Sequence, residues 1–372
     1  MQNFDLINEG KAKVKVAIGK ISKELPVFYN PVMSLNRTIS VLLLNSMSNT
    51  NIQIADPLAA SGVRSIRFLK ELNKNKISSL YINDYSKDAI TSIKENLKLN
   101  KIKFNKSTNN NKKDNSKNKI KLYNKDANIF LLESFGFDYI EIDPFGTPNP
   151  FLDAAIKRLA RDGILAVTAT DTAPLSGTFP STCMRKYWAL PQRNETMHEN
   201  GLRILIRKIQ LVASQYDKAL TPIYSYSTEH YMRIFLRCEK GKKKVDKILK
   251  QHGNYNNADP LWLGQLWDPA IAQKIASSAK KLSYISVQDK KFLNIIAQES
   301  KIHIVGFYNL PKICKKNKLT IIKQDELIKK IKAAGYQVAL THFANNSLRS
   351  DITKEELIKI LNNASLVHHK IP

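Results

Sequence analysis

The fold is decided by two neighbouring stretches, IQIADPLAASGVRSIRFLKEL (residues 52–72) and SLYINDYS (residues 79–86). In the first, an apolar strand ends at Asp56, small residues follow as far as Gly62, and the remainder has the pattern of a helix. The second stretch is another strand, and it ends at Asp84. This order predicts a βαβ unit, in which a helix connects two parallel strands of one sheet.

The same alternation continues to about residue 240. Three more apolar segments are typical of strands, and a helical segment precedes the last; they are IKLYNKDA (120–127), FDYIEIDP (137–144) and GILAVTATD (163–171), with PFLDAAIKRLARD (150–162) as the helix. Two runs within 220–241 predict an antiparallel hairpin at a sheet edge, and AKVKVAI (12–18) predicts an entry hairpin followed by a helix. We therefore predict an α/β fold with a doubly wound, largely parallel sheet, which binds its ligand at the carboxyl ends of the strands.

The length of 372 residues favours two domains. The alternating pattern stops near Gly241, where a basic helix, a turn-rich aromatic segment (254–269) and a helix, strand, loop, helix order follow. We predict that residues 1–240 hold the doubly wound sheet and that residues 241–372 form a smaller α+β domain.

The charge of the chain indicates a polyanionic partner. Lysine and arginine number 59 against 32 acidic residues, which gives a net charge of +27 and a pI near 9.8. This balance favours nucleic acid, although a solvated lysine-rich surface is an alternative. The Asn/Lys-rich segment at 106–119 cannot bury a core and predicts a loop.

The spacing of the cysteines and the hydropathy of the sequence indicate in which cellular compartment the protein works. Cys183, Cys238 and Cys314 lie far apart without a CxxC pair, so we expect neither a disulfide framework nor a zinc site. No run reaches the roughly 18 apolar residues that a membrane span requires. We expect a cytoplasmic monomer that binds no membrane and no metal.

Two strand-end acids suit a nucleoside cofactor. The turn after the first strand has small residues but one glycine, where dinucleotide sites usually have three. Asp84 is placed to bind ribose hydroxyls, and Asp126 precedes Ala127 where it could accept a hydrogen bond from an adenine amino group. Each acid alone is also typical of a helix cap or a turn.

Asp143, at the start of the DPFG sequence, suits a reaction on the exocyclic amine of a planar base. The carboxylate and an adjacent carbonyl can accept hydrogen bonds from the amine, and the carboxylate can take up its proton. The ring of Phe145 offers a stacking face, and Pro144 fixes the turn. The alternative is an ordinary Asp-Pro-x-Gly turn with a buried phenylalanine.

The chain as a whole resembles the tRNA (guanine-26, N2) dimethyltransferases of the archaeal and eukaryotic type. The resemblance covers nearly the whole sequence, and its most specific blocks are DPFG and TDTAPLSG; the blocks are FYNPVMSLNRTISV, DPLAASGVRSIRF, DPFGTPNPFLDAA, TATDTAPLSGTFPSTCMRKY and PLWLGQLWD. It implies a class I S-adenosylmethionine-dependent methyltransferase domain followed by a family-specific, tRNA-binding C-terminal domain. The implied reaction adds two methyl groups to N2 of one guanine, at the junction of the D and anticodon stems of tRNA.

The resemblance also implies roles for individual residues. Positions that match cofactor-binding residues are Arg37, Arg67, Asp84, Asp126 and Ala127. Phe28 and Phe145 match rings that sandwich the guanine, and Asp143 matches the catalytic acid. Arg64 is the rival of Arg67, because both follow the turn at Gly62 and spacing does not separate them.

Other segments leave alternatives open. Many relatives carry cysteine pairs before the PLWLG block, but NYNNAD has none, so we predict no zinc and treat His252 as an ordinary turn residue. Asp171 either contacts the base or caps a turn. Basic residues of the C-terminal domain could bind tRNA phosphates, although for any one of them a solvated face is the favoured interpretation; they are Lys315, Lys316, Lys318, His342, Arg349 and Lys354.

Two rival functions remain at this point. One is an amino methyltransferase that acts on adenine N6 or on guanine N2 of another RNA; DPFG, in place of Asp-Pro-Pro-Tyr, argues against adenine. The other is a non-catalytic, basic RNA-binding protein on a methyltransferase fold. The joint presence of Arg37, Asp84, Asp126 and Asp143 argues against the second rival.

Overall fold

A computed structural model describes residues 4–17, 27–106, 119–320 and 322–368. Its strands are β1 Phe4–Glu9, β2 Ala12–Ala17, β3 Ile52–Asp56, β4 Ile77–Asn83, β5 Asn105–Lys106, β6 Ile120–Tyr123, β7 Phe137–Ile142, β8 Leu159–Ala169, β9 Lys218–Thr228, β10 Tyr231–Lys240, β11 His252–Tyr255, β12 Ala258–Trp262, β13 Tyr308–Asn309, β14 Val338–Leu340 and β15 Ser347–Ser350. Its α-helices are α1 Ser34–Ser46, α2 Val63–Glu71, α3 Lys87–Leu99, α4 Ala127–Leu132, α5 Asn149–Arg158, α6 Thr172–Leu175, α7 Pro180–Tyr187, α8 Met197–Ser214, α9 Lys242–Leu249, α10 Pro269–Lys280, α11 Val287–Glu299, α12 Leu310–Asn317, α13 Gln324–Ala333 and α14 Lys354–His368. The Asn/Lys-rich segment falls almost wholly outside the described residues.

A central sheet organises the described part of the chain. Its eight strands run in the order β5-β6-β4-β3-β7-β8-β10-β9. Strands β3 to β8 pair in parallel, and β10 and β9 add an antiparallel hairpin at one edge, as predicted. Because β3 lies between β4 and β7, the carboxyl end of β3 is the point where the winding direction reverses, which is where such sheets bind ligands.

The central strands are apolar because both of their faces are covered. In β7, Tyr139, Ile140 and Ile142 are completely buried, and most of β8 is buried as well. Parallel strands that are covered on both sides read as continuous apolar runs, which explains why the sequence pattern identified them.

The structure differs from the predicted elements in three places. Helix α5 ends at Arg158 rather than at residue 162, because Leu159 is buried and pairs with Phe137 at the start of β8. The turn-rich segment contains the hairpin β11–β12, whose turn residues Asn256 and Asn257 both have positive φ, as a type I′ turn requires. The loop predicted before the last helix contains strand β15, which is only four residues long and gives a weak strand pattern.

Hydrophobic packing divides the chain later than residue 240. The main core includes residues of α9, β12, α10 and α11, whereas a second, smaller core begins at Leu310 and extends to Leu361. The two-domain boundary at 240/241 stays a prediction. Among the described residues no helix combines the length and the apolar character that a membrane span requires.

A buried charge cluster, here called the junction cluster, connects the two cores. Its members are Glu199, Arg203, Glu299, His342 and Arg349. Arg349 bonds Glu199 at 2.7 Å and Glu299 at 3.2 Å. Both Arg349 and His342 have fully buried side chains, so the expectation that they bind tRNA phosphates is wrong. Lys315, Lys316, Lys318 and Lys354 are exposed, and their contact with RNA stays a prediction.

Candidate active site

A cavity of about 360 Å³ lies at the carboxyl ends of β3, β4 and β7. Five predicted site residues and the rival arginine line it; they are Phe28, Arg37, Asp84, Asp143, Phe145 and Arg64. The other predicted residues, Arg67, Asp126 and Ala127, are not among the residues that line this cavity in the described structure.

The turn between β3 and α2 forms one wall of the cavity. Ala59, Ala60 and Ser61 line it, and Gly62 begins α2 with a φ of +76°. A side chain at Gly62 would be strained by this φ and would place its Cβ 3.1 Å from Ile93. The turn has its one glycine at this position, and Ala60, with a φ of +46°, is its other residue in the left-handed region.

Asp84 ties the end of β4 to that turn. Its carboxylate accepts hydrogen bonds from the amide N–H of Ala60 at 2.8 Å and of Ser86 at 2.9 Å. Burial raises the pKa of Asp84 above its ordinary value, although these backbone bonds oppose the change. Asp126 instead caps α4, where its Oδ1 accepts from Asn128 and Ile129 at 2.9 and 3.2 Å.

Arg37 forms part of the cavity wall through a buried ion pair with Glu9 of the entry hairpin. Its Nε donates to Glu9 Oε1 at 2.7 Å, and its Nη2 donates to Asn30 O at 3.0 Å. Burial favours the neutral form of Glu9, but Arg37 and Arg67 outweigh this effect and hold its pKa at about 2. The hairpin therefore contributes a permanent negative charge behind the cavity.

Arg64 and Arg67, which the sequence does not separate, have different surroundings. Arg67 is completely buried, and its guanidinium bonds Glu71 at 2.8 Å and Glu9 at 3.1 Å. Arg64 lines the cavity and donates to Asp143 Oδ2 and, at 3.0 Å, to Ser40 Oγ. This placement favours Arg64 over Arg67 as the arginine that acts at the site.

Asp143 belongs to a buried charge cluster, here called the β7 cluster, whose other members are Arg64, Glu141 and Arg233. Glu141 forms an ion pair with Arg233 and lies 3.5 Å from Arg64. The side chain of Asp143 is 18% exposed, whereas that of Glu141 is 1% exposed. Asp143 is thus the acid of this cluster that reaches the cavity.

The two predicted stacking rings touch each other. The ring centroids of Phe28 and Phe145 are 4.4 Å apart, and the planes meet at 82°. This is the edge-to-face contact of two aromatic rings. A flat base does not fit between them in this arrangement, so the rings must separate before a guanine can stack against both.

The DPFG turn is fixed to the end of β8. The Gly146 N–H donates to Thr170 Oγ1 at 2.7 Å, and the Thr170 N–H donates to Gly146 O at 2.9 Å. Gly146 has a φ of +75°, which disfavours any other residue there. These bonds set the direction in which Asp143 and Phe145 leave the strand end.

Asp171 does not cap α6 with its side chain. It accepts a hydrogen bond from Tyr187 Oη at 2.6 Å and pairs with Lys186 Nζ at 3.2 Å. Its predicted role as a turn cap is therefore wrong, and its contact with the base stays a prediction.

No group of three or more His, Cys, Asp and Glu side chains in the described residues could hold a metal ion. His252 Nε2 lies 2.8 Å from Gln210 Oε1, and burial lowers its pKa to about 4. The absence of zinc stays a prediction.

Sequence reasoning missed the roles of Glu141, Arg233 and Asp56. Glu141 stands between two isoleucines in a buried strand, and Arg233 stands in the apolar strand β10, which pairs with β8 and β9. This is a usable signal because buried charges require partners. Asp56 was noticed only as a strand end. It lines the cavity and accepts a hydrogen bond from Ser65 Oγ at 2.7 Å. Burial raises its pKa to about 7, although the positive charge of Arg64 opposes this change.

Comparison with known proteins identifies the family that the chain matches. Residues 8–257 and 250–362 match the family model of N2,N2-dimethylguanosine tRNA methyltransferase. The tRNA (guanine(26)-N(2)/guanine(27)-N(2))-dimethyltransferase of Aquifex aeolicus is 38% identical over 96% of this chain and 95% of that protein. The tRNA (guanine(26)-N(2))-dimethyltransferase of Methanocaldococcus jannaschii is 33% identical over 92% of this chain and 94% of that protein.

A solved structure matches the fold over most of the chain. Trm1 from Pyrococcus horikoshii, in complex with S-adenosyl-L-methionine, has a TM-score of 0.85 and 35% identity, and the match covers 96% of this chain and all of that one. The predicted class I methyltransferase fold with a C-terminal domain is confirmed. The chain belongs to the N2,N2-dimethylguanosine tRNA methyltransferase family.

Proposed function

We propose that the protein transfers two methyl groups from S-adenosyl-L-methionine to the exocyclic N2 of guanine 26 in tRNA. The observation that carries this proposal is the placement of Asp143 and Phe145 on the same cavity as Asp84 and Arg37. A carboxylate beside a stacking ring suits an aromatic amine, and the other two residues suit a nucleoside cofactor that carries charge. The net charge of +27 suits a tRNA substrate.

The cavity fits the cofactor in size and in chemistry. Its volume of about 360 Å³ lies within the range of small-molecule sites. We assign the ribose to Asp84 and a further cofactor contact to Arg37, both of which line the cavity. We assign the adenine to Asp126 and Ala127 at the start of α4, which lie outside this lining, so the adenine extends beyond the cavity. When it is bound, S-adenosyl-L-methionine supplies an electrophilic methyl group on a positively charged sulfur.

Asp143 orients the amine and receives its proton. Arg64 donates a hydrogen bond to Oδ2 of Asp143. None of the described contacts involves Oδ1, so Oδ1 can accept a hydrogen bond from an N–H group of the base. The N2 lone pair forms the new N–C bond as the bond from carbon to sulfur breaks, and one N2 proton passes to Asp143. Proton transfer to the carboxylate is favourable because the amine becomes strongly acidic as it gains the methyl group.

The guanine must leave the tRNA helix to reach this cavity. A flipped base loses its stacking partners, and we assign their replacement to Phe28 and Phe145, which separate to admit it. For the second transfer the same cavity accepts N2-methylguanine, which is larger and has one N–H fewer.

The test is to incubate the purified protein with unmodified tRNA and methyl-labelled S-adenosyl-L-methionine, then to digest the RNA and identify labelled nucleosides by mass spectrometry. N2,N2-dimethylguanosine in a fragment that contains position 26, and its loss from a tRNA with adenine at 26, is the expected result. Label on adenine overturns the substrate, and no label despite tight tRNA binding favours the non-catalytic alternative.

Guanine 27 is a second candidate target, favoured by the similarity to the Aquifex aeolicus enzyme, whose name includes both positions. Fragment mapping of a tRNA with guanine at both positions separates the two. We also propose that the protein is a cytoplasmic, metal-free monomer. Light scattering after gel filtration and elemental analysis of the purified protein test its mass and its metal content.

A further inference from the structure

Exposed apolar side chains on and beside α7 take no part in the site described above. Their exposed fractions are 56% for Phe179, 48% for Met184, 47% for Trp188 and 42% for Leu190. These four residues are here called the α7 surface. All four lie on α7 or within three residues of one of its ends, so this part of the chain has a high density of exposed apolar side chains.

The α7 surface is attached to the loops of the active site. The Asn149 side chain donates to Lys186 O at 2.8 Å, and the Tyr187 hydroxyl bonds Asp171 at 2.6 Å and Thr147 at 3.0 Å. Thr147 directly follows the DPFG turn, and Asp171 directly follows Thr170 of the cavity wall. The patch therefore continues the surface that surrounds the cavity.

The surroundings of the α7 surface are basic. Lys208 is only 6% exposed, and its Nζ lies 2.8 Å from the centroid of the Trp188 ring, which it supports from the protein side. Arg207 is partly buried, and its Nη1 donates to Trp188 O at 3.1 Å. Arg185 and Arg193 are exposed nearby in the sequence. Lys186 neutralises Asp171. An apolar patch among cations suits a polyanion whose bases can stack.

The backbone at Trp188 is unfavourable for tryptophan. This residue ends α7 in the left-handed region, with a φ of 57° and a ψ of 41°. Glycine or asparagine is usual at such a helix end, and a bulky residue there is strained. An exposed ring held at a strained position indicates a role in binding rather than in stability.

We propose that the α7 surface, with Trp188 at its centre, is a docking surface for the tRNA segment beside the methylated guanine. Trp188 stacks against a nucleotide of that segment through its open face, and the exposed Arg185 and Arg193 bind its phosphates. This inference rests on the proposed function, since it identifies how the same site holds its RNA. It adds a contact outside the cavity that holds the flipped base.

Tryptophan fluorescence tests the stacking directly. The chain has three tryptophans, and Trp262 and Trp267 are only 2% and 4% exposed. Trp188 therefore dominates quenching by acrylamide, a neutral quencher. We expect added tRNA to protect Trp188 from acrylamide, and the protected signal to be missing in Trp188→Phe. No change on tRNA binding overturns the proposal, as does protection that grows with protein concentration alone, which would identify a second copy as the occupant.

Steady-state kinetics of variants distinguish a loss of tRNA docking from a loss of folding. Trp188→Asn suits the left-handed backbone, so we expect it to keep the melting temperature and the affinity for S-adenosyl-L-methionine while it raises KM for tRNA roughly tenfold with little change in kcat. Trp188→Phe retains most of the affinity. Phe135→Asn is the matched control, because Phe135 is 84% exposed at the amino end of β7 and should leave KM unchanged.

The failure of each proposal has a distinct result. A wild-type protein that forms no dimethylguanosine contradicts the proposed function, whether or not tRNA protects Trp188. A wild-type protein that methylates tRNA, with Trp188→Asn showing the same KM, contradicts the docking surface alone.

Discussion

The β7 cluster and the junction cluster both contain buried arginines and carboxylates. They differ in whether one of the acids reaches a cavity. In both, buried arginines bridge two carboxylates. The side chains of Glu199, Glu299 and Arg349 have no exposed surface, whereas Asp143 is 18% exposed and faces the cavity.

This difference in exposure indicates that the junction cluster serves stability and that the β7 cluster serves catalysis. A buried ion pair whose members are all satisfied is closed to solvent and to ligand, and removing one member leaves an uncompensated charge. A cluster with one acid at a cavity can offer that acid to a substrate, while its inner members hold it in place. Changes in the junction cluster should therefore alter stability, and changes in the β7 cluster should alter turnover.

The largest expected effect is on turnover, from Asp143→Asn. The amide cannot take up the proton of N2, so we expect methyl transfer to fall by roughly 10²–10⁴-fold. Binding of S-adenosyl-L-methionine, measured by calorimetry, should persist. Asp153→Asn is the control, since Asp153 is 53% exposed on α5 and outside the cavity. Rates like those of the wild type in Asp143→Asn would remove the role that we assign to this acid.

The next effect is on stability, from Glu199→Gln. This change leaves Arg203 and Arg349 buried without their shared counter-charge, so the free energy of unfolding should fall by about 3–5 kcal/mol. Urea denaturation measures it. Glu195→Gln, which breaks the exposed pair with Lys312, should cost only about 0–1 kcal/mol. Equal losses in the two variants would contradict a special role for the closed cluster.

Acid should weaken the junction cluster and the entry hairpin together. Burial opposes ionisation of Glu199 and Glu9, but their arginine partners hold both pKa values at about 2, below the ordinary 4.5. A lowered pKa in the folded state stabilises the protein above pH 4.5, and this contribution is lost as the pH falls towards 2.

Urea midpoints measured between about pH 6 and about pH 3 test this expectation. The wild type should lose stability through the acidic half of that range, and Glu9→Gln should lose less because its side chain no longer titrates. Parallel curves for the two proteins would contradict it.

The smallest effect is expected from Arg64→Lys. Lysine keeps the charge but cannot bond Asp143 and Ser40 together, so kcat should fall about tenfold with a smaller change in KM. Arg161→Lys is the control, because Arg161 is exposed near the amino end of β8 and lies outside the cavity lining. Weaker binding of S-adenosyl-L-methionine in Arg64→Lys, without slower transfer, would instead identify Arg64 as a cofactor ligand.

Much of the fold and part of the site could be predicted from local sequence. Apolar runs that end at Asp56, Asp84 and Asp143 identified strands whose carboxyl ends meet at one edge, because parallel strands require that arrangement. Hairpin β11–β12 was missed although its Asn-Asn turn is a recognisable signal.

The choice between Arg64 and Arg67 could not be made from the sequence. The two residues lie three positions apart on one face of α2, so helical spacing gives them the same direction. The two arginines differ in their ion-pair partners. Arg67 pairs with Glu9 of β1, whereas Arg64 pairs with Asp143, directly after β7. Such long-range contacts leave no mark in the sequence around either arginine.

The two hydrogen bonds between Gly146 and Thr170 also bear on how the protein moves when it takes up a base. They hold the backbone of the DPFG turn to the end of β8, so the ring of Phe145 must open by rotation of its own side chain rather than by displacement of the turn. Exposed side chains rotate in picoseconds to nanoseconds, far faster than loops or domains rearrange. We therefore expect the rotation of Phe145 to be faster than the step at which the guanine leaves its helix.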